Sequence, residues 1–286
     1  MNTTKSHHRT LWARWMKGSH WSWISRAHAD QLPADFDQSV MSLESTDRLH
    51  AKQGRSTARI RLDGPGGSVT GYLKRHRRLP LSHRVAALIF PGGRFSPGAA
   101  EWSNLERAAQ IGVPVPAPLA AGEIIGPGLH LESYLLVREL TDCLELHVAL
   151  PRWKHAVAAN DFQRLKRRLV RTMAEITARL HREHLFHKDL YLCHFFTPAE
   201  PSLTSEPDLT LIDLHRLQQH RWLAARWRLK DLAQLLYSTD GVDGVDDRDR
   251  LRFWMHYRRA LGLGAALAWR KAIQAKAARY RRHNNP

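Results

Sequence analysis

Cysteine is scarce in this chain, and long apolar runs are missing from it. Only Cys143 and Cys193 occur among 286 residues, too few for a disulfide framework or a cysteine-based metal centre. That usage fits a reducing cytoplasm. No apolar stretch approaches the ~20 residues that span a bilayer, and the basic N-terminus lacks the apolar segment of a secretory signal. We therefore expect neither a secreted nor a membrane-spanning protein.

Acidic residues are also few relative to basic ones. The chain has 27 Asp and Glu against 44 Lys and Arg, a formal charge of +17. Such an excess attracts nucleic acid, an anionic membrane surface or a phosphorylated substrate, and charge alone does not choose among them. Because 43% of the residues are hydrophobic, the chain can bury a core, and a folded protein is expected.

Residues 1–45 form a basic N-terminal extension with four tryptophans: Trp12, Trp15, Trp21 and Trp23. The spacing of Trp12, Trp15 and Met16 predicts a short amphipathic helix. Tryptophan among basic residues is typical of an interfacial membrane anchor. A helix that docks its tryptophan face on the folded domain fits the same pattern, so both interpretations stay open.

The next part of the chain has the pattern of a β-rich lobe. Apolar and basic residues alternate over 58–62, a Gly-Pro turn follows, and a second strand over 69–73 completes a predicted β-hairpin. Helical periodicity covers 99–111, and a strand over 134–137 runs into Glu139.

The remainder is mostly helical. The pattern predicts one short strand, 209–212, and three helices: 161–183, 222–237 and 247–261. We therefore predict an α+β fold with two lobes, a β-rich N-lobe over 46–139 and a helical C-lobe over 140–286. A site is expected where the lobes meet.

Two aspartates in predicted loops suggest phosphoryl transfer. Asp189 follows His187-Lys188 after a helix, and Asp213 closes a short apolar strand. That reaction needs one carboxylate beside the acceptor hydroxyl and another that holds Mg²⁺ on the phosphates. Either aspartate alone would be read as a capping or turn residue.

Companion residues upstream favour the kinase interpretation. Lys74 ends a predicted strand, where a kinase places the lysine that pairs the α- and β-phosphates. Glu101 on the next helix can pair with Lys74, and it lies one turn nearer the helix start than Glu106. A solvated basic patch and exposed glutamates are the alternatives. The order of strand lysine, helix glutamate, loop aspartate and strand-end aspartate favours kinase chemistry over them.

Several strings resemble the lipopolysaccharide core kinase family, which includes heptose and Kdo kinases. They are HLFHKDLYLCHFF, LTLIDLHRLQ, GYLKRH, EWSNLERAAQIGVPVP and KDLAQLLYS, and the resemblance covers roughly residues 48–260. It implies a protein-kinase-like fold, and phosphorylation of an inner-core sugar of lipopolysaccharide at the cytoplasmic face of the inner membrane.

The resemblance also implies roles for individual residues. Asp189 becomes the catalytic base and Asp213 a Mg²⁺ ligand. The residues assigned to ATP are Lys74, Glu101, Gly54, Ser56 and Glu139; of these, Gly54 and Ser56 lie at the first hairpin turn, where a kinase places its phosphate-covering loop. Asp231 resembles the buried helix aspartate that hydrogen-bonds the catalytic-loop backbone.

Two positions depart from kinases in general. His194 occupies the place of the asparagine that binds metal, and although the family's own pattern has histidine there, imidazole is a poor ligand for Mg²⁺. Lys188 replaces the usual arginine before the catalytic aspartate and lacks its guanidinium fork. A zinc site is a less favoured alternative, built from nearby imidazoles and a thiol: His181, His184, His187, His194 and Cys193.

We therefore predict an ATP- and Mg²⁺-dependent kinase of lipopolysaccharide core, with heptose favoured over Kdo as the acceptor. A protein kinase is an alternative, against which the short segment after Asp213 and the missing Ala-Pro-Glu argue. A basic nucleic-acid-binding protein with a degenerate kinase fold is the alternative of another class.

The expected partners are the lipopolysaccharide core glycolipid and an anionic membrane surface, with no nucleic acid. The resemblance implies a cytoplasmic enzyme, peripheral on the inner membrane of a Gram-negative bacterium. Basic residues near such a surface add about 1 kcal/mol each. The candidates are Arg75, Arg77, Arg78 and the basic C-terminal helix that contains Arg270, Lys271, Lys276, Arg279, Arg281 and Arg282.

Overall fold

The computed structural model describes residues 3–6, 10–45, 47–52, 54–77, 79–91, 95–264 and 267–284. The chain divides into two compact units. The first comprises Met1–Arg107 and Pro116–Glu139, and the second comprises Ala108–Val115 and Leu140–Pro286.

The first unit is built on an antiparallel sheet. Its seven described strands are β1 Thr3–Ser6, β2 Ser19–Ile24, β3 Arg48–Lys52, β4 Arg55–Gly64, β5 Gly67–His76, β6 Pro118–Gly126 and β7 His130–Arg138. They lie in the order β1-β2-β6-β7-β5-β4-β3. The described helices of this unit are α1 Leu11–Lys17, α2 Phe36–Ser39, α3 Leu81–Ile89 and α4 Pro97–Gln110.

The hairpin of β4 and β5 confirms the predicted one. Ala58, Ile60 and Leu62 alternate along β4 and are buried, and Leu73 on β5 is completely buried. Because side chains alternate across a strand, Lys74 points to the opposite face of the sheet from Leu73. The hairpin therefore determines the direction in which the Lys74 side chain points.

The N-terminal extension joins the same sheet. β2 pairs with β6 over six residues, and Trp23 on β2 is buried. The rings of Trp21 and Trp23 each lie 5.2 Å from the ring of Trp102 on α4. Trp23 thus belongs to the packed interior of the first unit, and the partly buried Trp21 packs beside it on Trp102.

Helix α1 confirms the predicted amphipathic helix, but its tryptophans face outward. Arg14 anchors the helix, since its Nε donates to the carbonyl of Leu88 at the end of α3 at 2.8 Å. Trp12 is 72% exposed and Trp15 is 39% exposed. The alternative in which the helix docks its tryptophan face is therefore wrong for α1; Trp21 and Trp23 on β2 are the docked pair.

The second unit is mainly helical. Its described helices are α5 Leu146–Ala156, α6 Ala159–Arg182, α7 Ala224–Tyr237, α8 Asp247–Ala260 and α9 Leu267–Asn284. Its short strands are β8 Cys143–Glu145, β9 Leu185–Phe186, β10 Phe195–Pro198, β11 Thr210–Leu211 and β12 Gln218–Gln219. β8, β10 and β11 form one small sheet, and β9 pairs with β12.

Helix α6 is the central element of this unit. Its apolar face buries Leu165, Leu169 and Met173, as its 3.6-residue periodicity predicts. The buried ammonium of Lys166 lies on the same helix, 2.7 Å from the carboxylate of Asp249 on α8. Pairing offsets the cost of burying both charges. The C-terminal end of α6 leads directly into β9 and the loop that carries Asp189.

The helices predicted at 99–111, 161–183, 222–237 and 247–261 are confirmed as α4, α6, α7 and α8, and the basic C-terminal helix is α9. The strand predicted at 209–212 is shorter, Thr210–Leu211. The predicted surface role of Arg75 is wrong. Its side chain is buried and donates to the carbonyl of Met41 at 3.2 Å. Arg78 lies outside the described residues.

Candidate active site

Lys74 and Glu101 form a direct ion pair in the first unit. Lys74 lies in the interior of the sheet, with Thr57 on β4 and Leu135 on β7 as its register partners. Its Nζ is 2.6 Å from Oε1 of Glu101, a side chain that is 95% buried. A short contact to a buried carboxylate holds an ammonium in one direction. The two residues that the sequence coupled are therefore brought together.

The turn between β3 and β4, together with the start of β4, carries two further residues that the sequence assigned to ATP. Gly54 has φ +80°, a conformation that favours glycine, and its carbonyl accepts from the backbone N–H of Arg77 at 2.8 Å. The hydroxyl of Ser56 accepts from Nε of Arg75 at 3.4 Å. These two hydrogen bonds thus hold the turn against the end of β5. Nucleotide binding by Gly54 and Ser56 stays a prediction.

Glu139 follows β7, and its side chain is engaged by two neighbours. Nε and Nη2 of Arg59 donate to its two carboxylate oxygens at 2.6 and 2.9 Å, and the hydroxyl of Tyr72 donates at 3.3 Å. The hydrogen bond from Arg59 holds the pKa of Glu139 below its ordinary value. Its backbone N–H donates to the carbonyl of Thr70 at 3.0 Å. The assignment of Glu139 to ATP remains a prediction.

In the second unit, Asp231 on α7 fixes the backbone of the loop that carries Asp189. Its two carboxylate oxygens accept from the backbone N–H groups of His187 and Lys188, each at 2.8 Å. Asp231 is completely buried, and His181 lies 3.2 Å from it. Lys188 has φ +69°, a strained conformation for a residue with a side chain. The predicted structural role of Asp231 is confirmed, since it holds the loop in this conformation.

His187 links that loop to the segment that carries Asp213. It is completely buried, and its Nε2 lies 3.0 Å from the carbonyl of Ile212. Burial lowers the pKa of His187, so the ring is neutral and Nε2 carries the proton that it donates to that carbonyl. This hydrogen bond ties the loop that carries Asp189 to the segment that carries Asp213.

Asp189 is surrounded by donors. Oδ2 accepts from Nη1 of Arg216 at 2.7 Å, and Oδ1 accepts from Nε2 of Gln234 at 3.3 Å. Nζ of Lys230 is 3.8 Å from Oδ1. The carboxylate is partly exposed, with 18% of its side chain accessible. It is therefore available to an incoming hydroxyl group.

Asp213 and His194 lie side by side. Asp213 has φ +63° and ψ +49°, and its carboxylate contacts Nδ1 of His215 at 2.6 Å. Nδ1 of His194 is 2.7 Å from the carbonyl of Asp189, so that nitrogen carries the proton. The lone pair of a neutral His194 is then on Nε2, which is 3.8 Å from Oδ2 of Asp213. A carboxylate and an imidazole lone pair converge here.

The carboxylate of Asp213 is a ligand type that Mg²⁺ prefers, whereas the imidazole of His194 is a poor one, and Mg²⁺ binding by the two residues stays a prediction. Within the described part of the chain, no group of three or more His, Cys, Asp and Glu side chains is placed to hold a metal ion. The histidines of the zinc alternative have other partners, because His181 contacts Tyr257 and His187 contacts Ile212. The zinc hypothesis is therefore wrong for the described residues.

Three residues around Asp189 were not predicted from the sequence: Arg216, Gln234 and Lys230. Lys230 and Gln234 flank the predicted Asp231 on α7, and the KDLAQ string could have pointed to them. Arg216 lies in the short 3₁₀ segment Leu214–Arg216 that follows Asp213. Nothing in its local sequence separates it from the many other arginines of the chain.

Three comparisons relate this geometry to known proteins. The model of the lipopolysaccharide kinase (Kdo/WaaP) family matches residues 49–257. The lipopolysaccharide core heptose(I) kinase WaaP of Pseudomonas aeruginosa is 31% identical over 208 residues, which cover 72% of this chain and 75% of that protein. The enzyme of the same name from Escherichia coli K12 is 30% identical over 208 residues, covering 71% of this chain and 74% of that protein.

A solved structure, WaaP in complex with acyl carrier protein, has a TM-score of 0.64 and 29% identity, and covers 85% of this chain and 91% of that one. The fold and the site thus define a sugar phosphotransferase with a protein-kinase-like fold, as the sequence predicted. The chain belongs to the lipopolysaccharide kinase (Kdo/WaaP) family. None of the described helices is both long and apolar enough to cross a membrane.

Proposed function

We propose that this protein transfers the γ-phosphoryl group of ATP to a hydroxyl of heptose in the lipopolysaccharide core. The observation that carries the proposal is the similarity over 208 residues to enzymes named lipopolysaccharide core heptose(I) kinase. The family match covers residues 49–257 and so includes Lys74, Glu101, Asp189 and Asp213. Geometry supports it, since Asp231 holds the Asp189 loop and His187 ties that loop to the Asp213 segment.

Each residue would have a distinct role. Asp189 accepts the proton of the acceptor hydroxyl as its oxygen attacks the γ-phosphorus and the bond to the bridging oxygen of ADP breaks. Lys74, directed by Glu101, binds phosphate oxygens. Asp213 and His194 would hold Mg²⁺, which when bound neutralises charge on the phosphates. The loop bonds of Asp231 keep Asp189 oriented, which matters because small displacements of reacting groups cost large factors in rate.

The membrane part of the proposal concerns α1. The apolar side chains Leu11, Trp12, Trp15 and Met16 are between 39% and 72% exposed, on a chain with a formal charge of +17. Exposed tryptophan beside basic residues favours the interface of an anionic bilayer. We place the protein peripherally at the cytoplasmic face of the inner membrane, where a core glycolipid acceptor is anchored.

The solved relative, WaaP in complex with acyl carrier protein, suggests a second partner. The second unit of this chain holds a cavity of about 400 Å³ whose lining is mainly apolar, including Leu169, Leu232 and Phe253, and whose charged residues are of both signs, including Arg270 and Asp247. Apolar walls with a few charged residues suit a ligand with an apolar chain and a polar end. We therefore include an acyl carrier protein among the partners to test.

The decisive experiment measures transfer of labelled phosphate from ATP to a panel of defined core glycolipids. Transfer to heptose-containing acceptors, and its loss in Asp189→Asn, is the expected result. Transfer only to an acceptor with Kdo and no heptose would make the protein a Kdo kinase. Phosphorylation of proteins in place of glycolipids would establish the protein-kinase alternative. Absence of transfer together with tight, salt-sensitive binding of duplex DNA would restore the nucleic-acid alternative.

A further inference from the structure

Arg216 makes the shortest side-chain contact to Asp189 among the described residues. The roles proposed for Lys74, Asp189 and Asp213 in the reaction do not involve it. Nη1 of Arg216 is 2.7 Å from Oδ2 of Asp189. A general base must accept a hydroxyl proton at about 2.6–3.2 Å, and a carboxylate has about four acceptor sites for the hydroxyl and the donors to share. The donor that can change its contact during the reaction is the one least fixed elsewhere.

The other two donors, Gln234 and Lys230, are each held in place by a hydrogen bond to another residue. Gln234 is buried and also donates to the hydroxyl of Tyr191 at 2.8 Å. The ammonium of Lys230 donates to the carbonyl of Lys188. Arg216, in contrast, is a long side chain that is 49% exposed. It is the donor that can move when the hydroxyl arrives.

The surroundings of Arg216 are rich in positive charge. Burial lowers the pKa values of Lys188 and Lys230, and the charge of Arg216 lowers both further. Nζ of Lys188 lies 2.7 Å from the amide oxygen of Gln218 and 4.4 Å from the centre of the Trp227 ring. Both oxygens of Asp231 are used by backbone N–H groups. Two cations, Arg216 and Lys230, thus lie beside the single carboxylate of Asp189, a local excess of positive charge that an incoming anion would offset.

The reaction brings such an anion to this place. The attacking oxygen lies within about 3 Å of the base, and the phosphorus within about 3–3.5 Å of that oxygen. The guanidinium of Arg216, once it leaves Oδ2 of Asp189, can therefore reach the oxygens of the transferred phosphoryl group by a rotation of its long side chain. Arginine suits this position, because its planar fork matches phosphate oxygens.

We propose that Arg216 is a catalytic residue that binds the non-bridging oxygens of the transferred phosphoryl group, exchanging its contact with Asp189 for that one in the transition state. The inference rests on the proposed function only for phosphoryl transfer from ATP, whatever the sugar. The oxygen of the acceptor bonds to phosphorus, the bond to ADP breaks, and the proton passes to Asp189. Arg216 donates N–H hydrogen bonds throughout and keeps its own protons.

The test uses the full-length chain and needs no sugar. Titration calorimetry compares Mg·ADP with Mg·ADP plus aluminium fluoride, which mimics the planar phosphoryl group. Arg216→Ala should bind ADP as wild type does, but lose about 10²–10³-fold in affinity for the fluoride complex, as loss of one charge-stabilising donor does. Arg216→Lys should recover part of it, since the charge remains and the fork is lost. Arg221→Ala, which removes an exposed arginine of the same segment, is the matched control and should behave as wild type.

Three results would overturn the proposal. Equal losses for ADP and for the fluoride complex would make Arg216 a structural residue. Unchanged binding in Arg216→Ala, or a wild type that does not prefer the fluoride complex, would reduce the contact to a surface ion pair. Because no acceptor is present, a wrong assignment of the sugar substrate leaves this test unaffected.

Discussion

Nζ of Lys74 lies 2.6 Å from Oε1 of Glu101, and the carboxylate is almost completely buried while the ammonium keeps some exposure. The glutamate is thus the fixed partner and the lysine the one that can meet a ligand. We predict that Lys74→Met lowers kcat/KM for ATP about 10²–10³-fold, as removal of one charge-stabilising donor does. Glu101→Gln should cost about 10-fold, because the ammonium remains but loses its direction.

Glu106→Gln on the same helix is the matched control for that pair, and steady-state kinetics with ATP as the varied substrate is the measurement. Glu106 should be replaceable at little cost. If Glu106→Gln and Glu101→Gln reduce kcat/KM equally, the ion pair has no specific part in ATP use.

The metal prediction concerns Asp213 and His194. Asp213→Ala should abolish the Mg²⁺ dependence of ATP binding while metal-free ATP binding changes much less. His194→Asn should retain that dependence better than His194→Ala, because an amide oxygen suits Mg²⁺ and a methyl group supplies no ligand. Calorimetry with and without Mg²⁺ is the measurement.

Asp208→Ala, which removes an exposed carboxylate close in sequence, serves as the control for the metal experiment. Equal losses of ATP affinity with and without Mg²⁺ in Asp213→Ala would assign Asp213 a structural role instead.

Asp231 should be a major contributor to the stability of the second unit. Asp231→Ala leaves the backbone N–H groups of His187 and Lys188 without their acceptor. At ~1–3 kcal/mol for each buried orphaned donor, the free energy of unfolding should fall by about 2–6 kcal/mol. Urea unfolding measures it. Asp247→Ala removes an exposed carboxylate and should change stability by less than about 1 kcal/mol; a similar effect of both variants would contradict the buried role of Asp231.

His181 makes stability depend on pH in a defined direction. Its complete burial lowers its pKa in the folded protein, whereas histidine in the unfolded chain titrates near ~6.5. As the pH falls through ~6.5 toward the folded-state pKa, the unfolded chain binds the proton first. Stability that is fully present above pH ~6.5 is therefore lost on acidification.

Replacing His181 by Gln should flatten that dependence, by up to ~1.4 kcal/mol for each pH unit below ~6.5. Urea midpoints at about pH 7.5 and about pH 5.5 provide the comparison. The exposed His155, replaced by Gln, is the control. An unchanged pH slope in the His181 variant would mean that other groups account for the acid sensitivity.

The membrane proposal predicts that Trp12 and Trp15 carry binding to anionic liposomes. The double variant with alanine at both positions should sediment less with anionic vesicles, while phosphorylation of a soluble core-sugar acceptor is unchanged. Binding should also weaken with salt. Trp222→Ala, at a side chain that is 98% exposed outside α1, tests whether any exposed tryptophan would do. If Trp222→Ala has the larger effect, α1 is not the anchoring face.

Local sequence determined much of this protein. Alternation over β4 and β5 predicted the hairpin, because a strand has a period of two and one face must be buried. Helical periodicity predicted α4, α6, α7 and α8. The chain order of Lys74, Glu101, Asp189 and Asp213 predicted a kinase, since each residue type has a separate task in phosphoryl transfer.

Other elements carry too little local signal. β6 contains the consecutive small residues Ala120, Ala121 and Gly122, and it is buried on both sides, so it shows no alternation. Trp21 and Trp23 have the right spacing for a strand, but their basic surroundings favoured a surface. Only pairing with β6 and packing on Trp102 decided their place.

The tertiary structure alone decided which charges meet. Arg75 and Arg77 are only two residues apart, yet Arg75 is buried and Arg77 is exposed, because Arg75 lies within β5 whereas Arg77 follows the end of that strand at His76. Arg216 reaches Asp189 only because the His187 hydrogen bond and the pairing of β9 with β12 bring the two loops together. A sequence specifies the charges, whereas contacts between residues distant along the chain depend on how the whole chain packs.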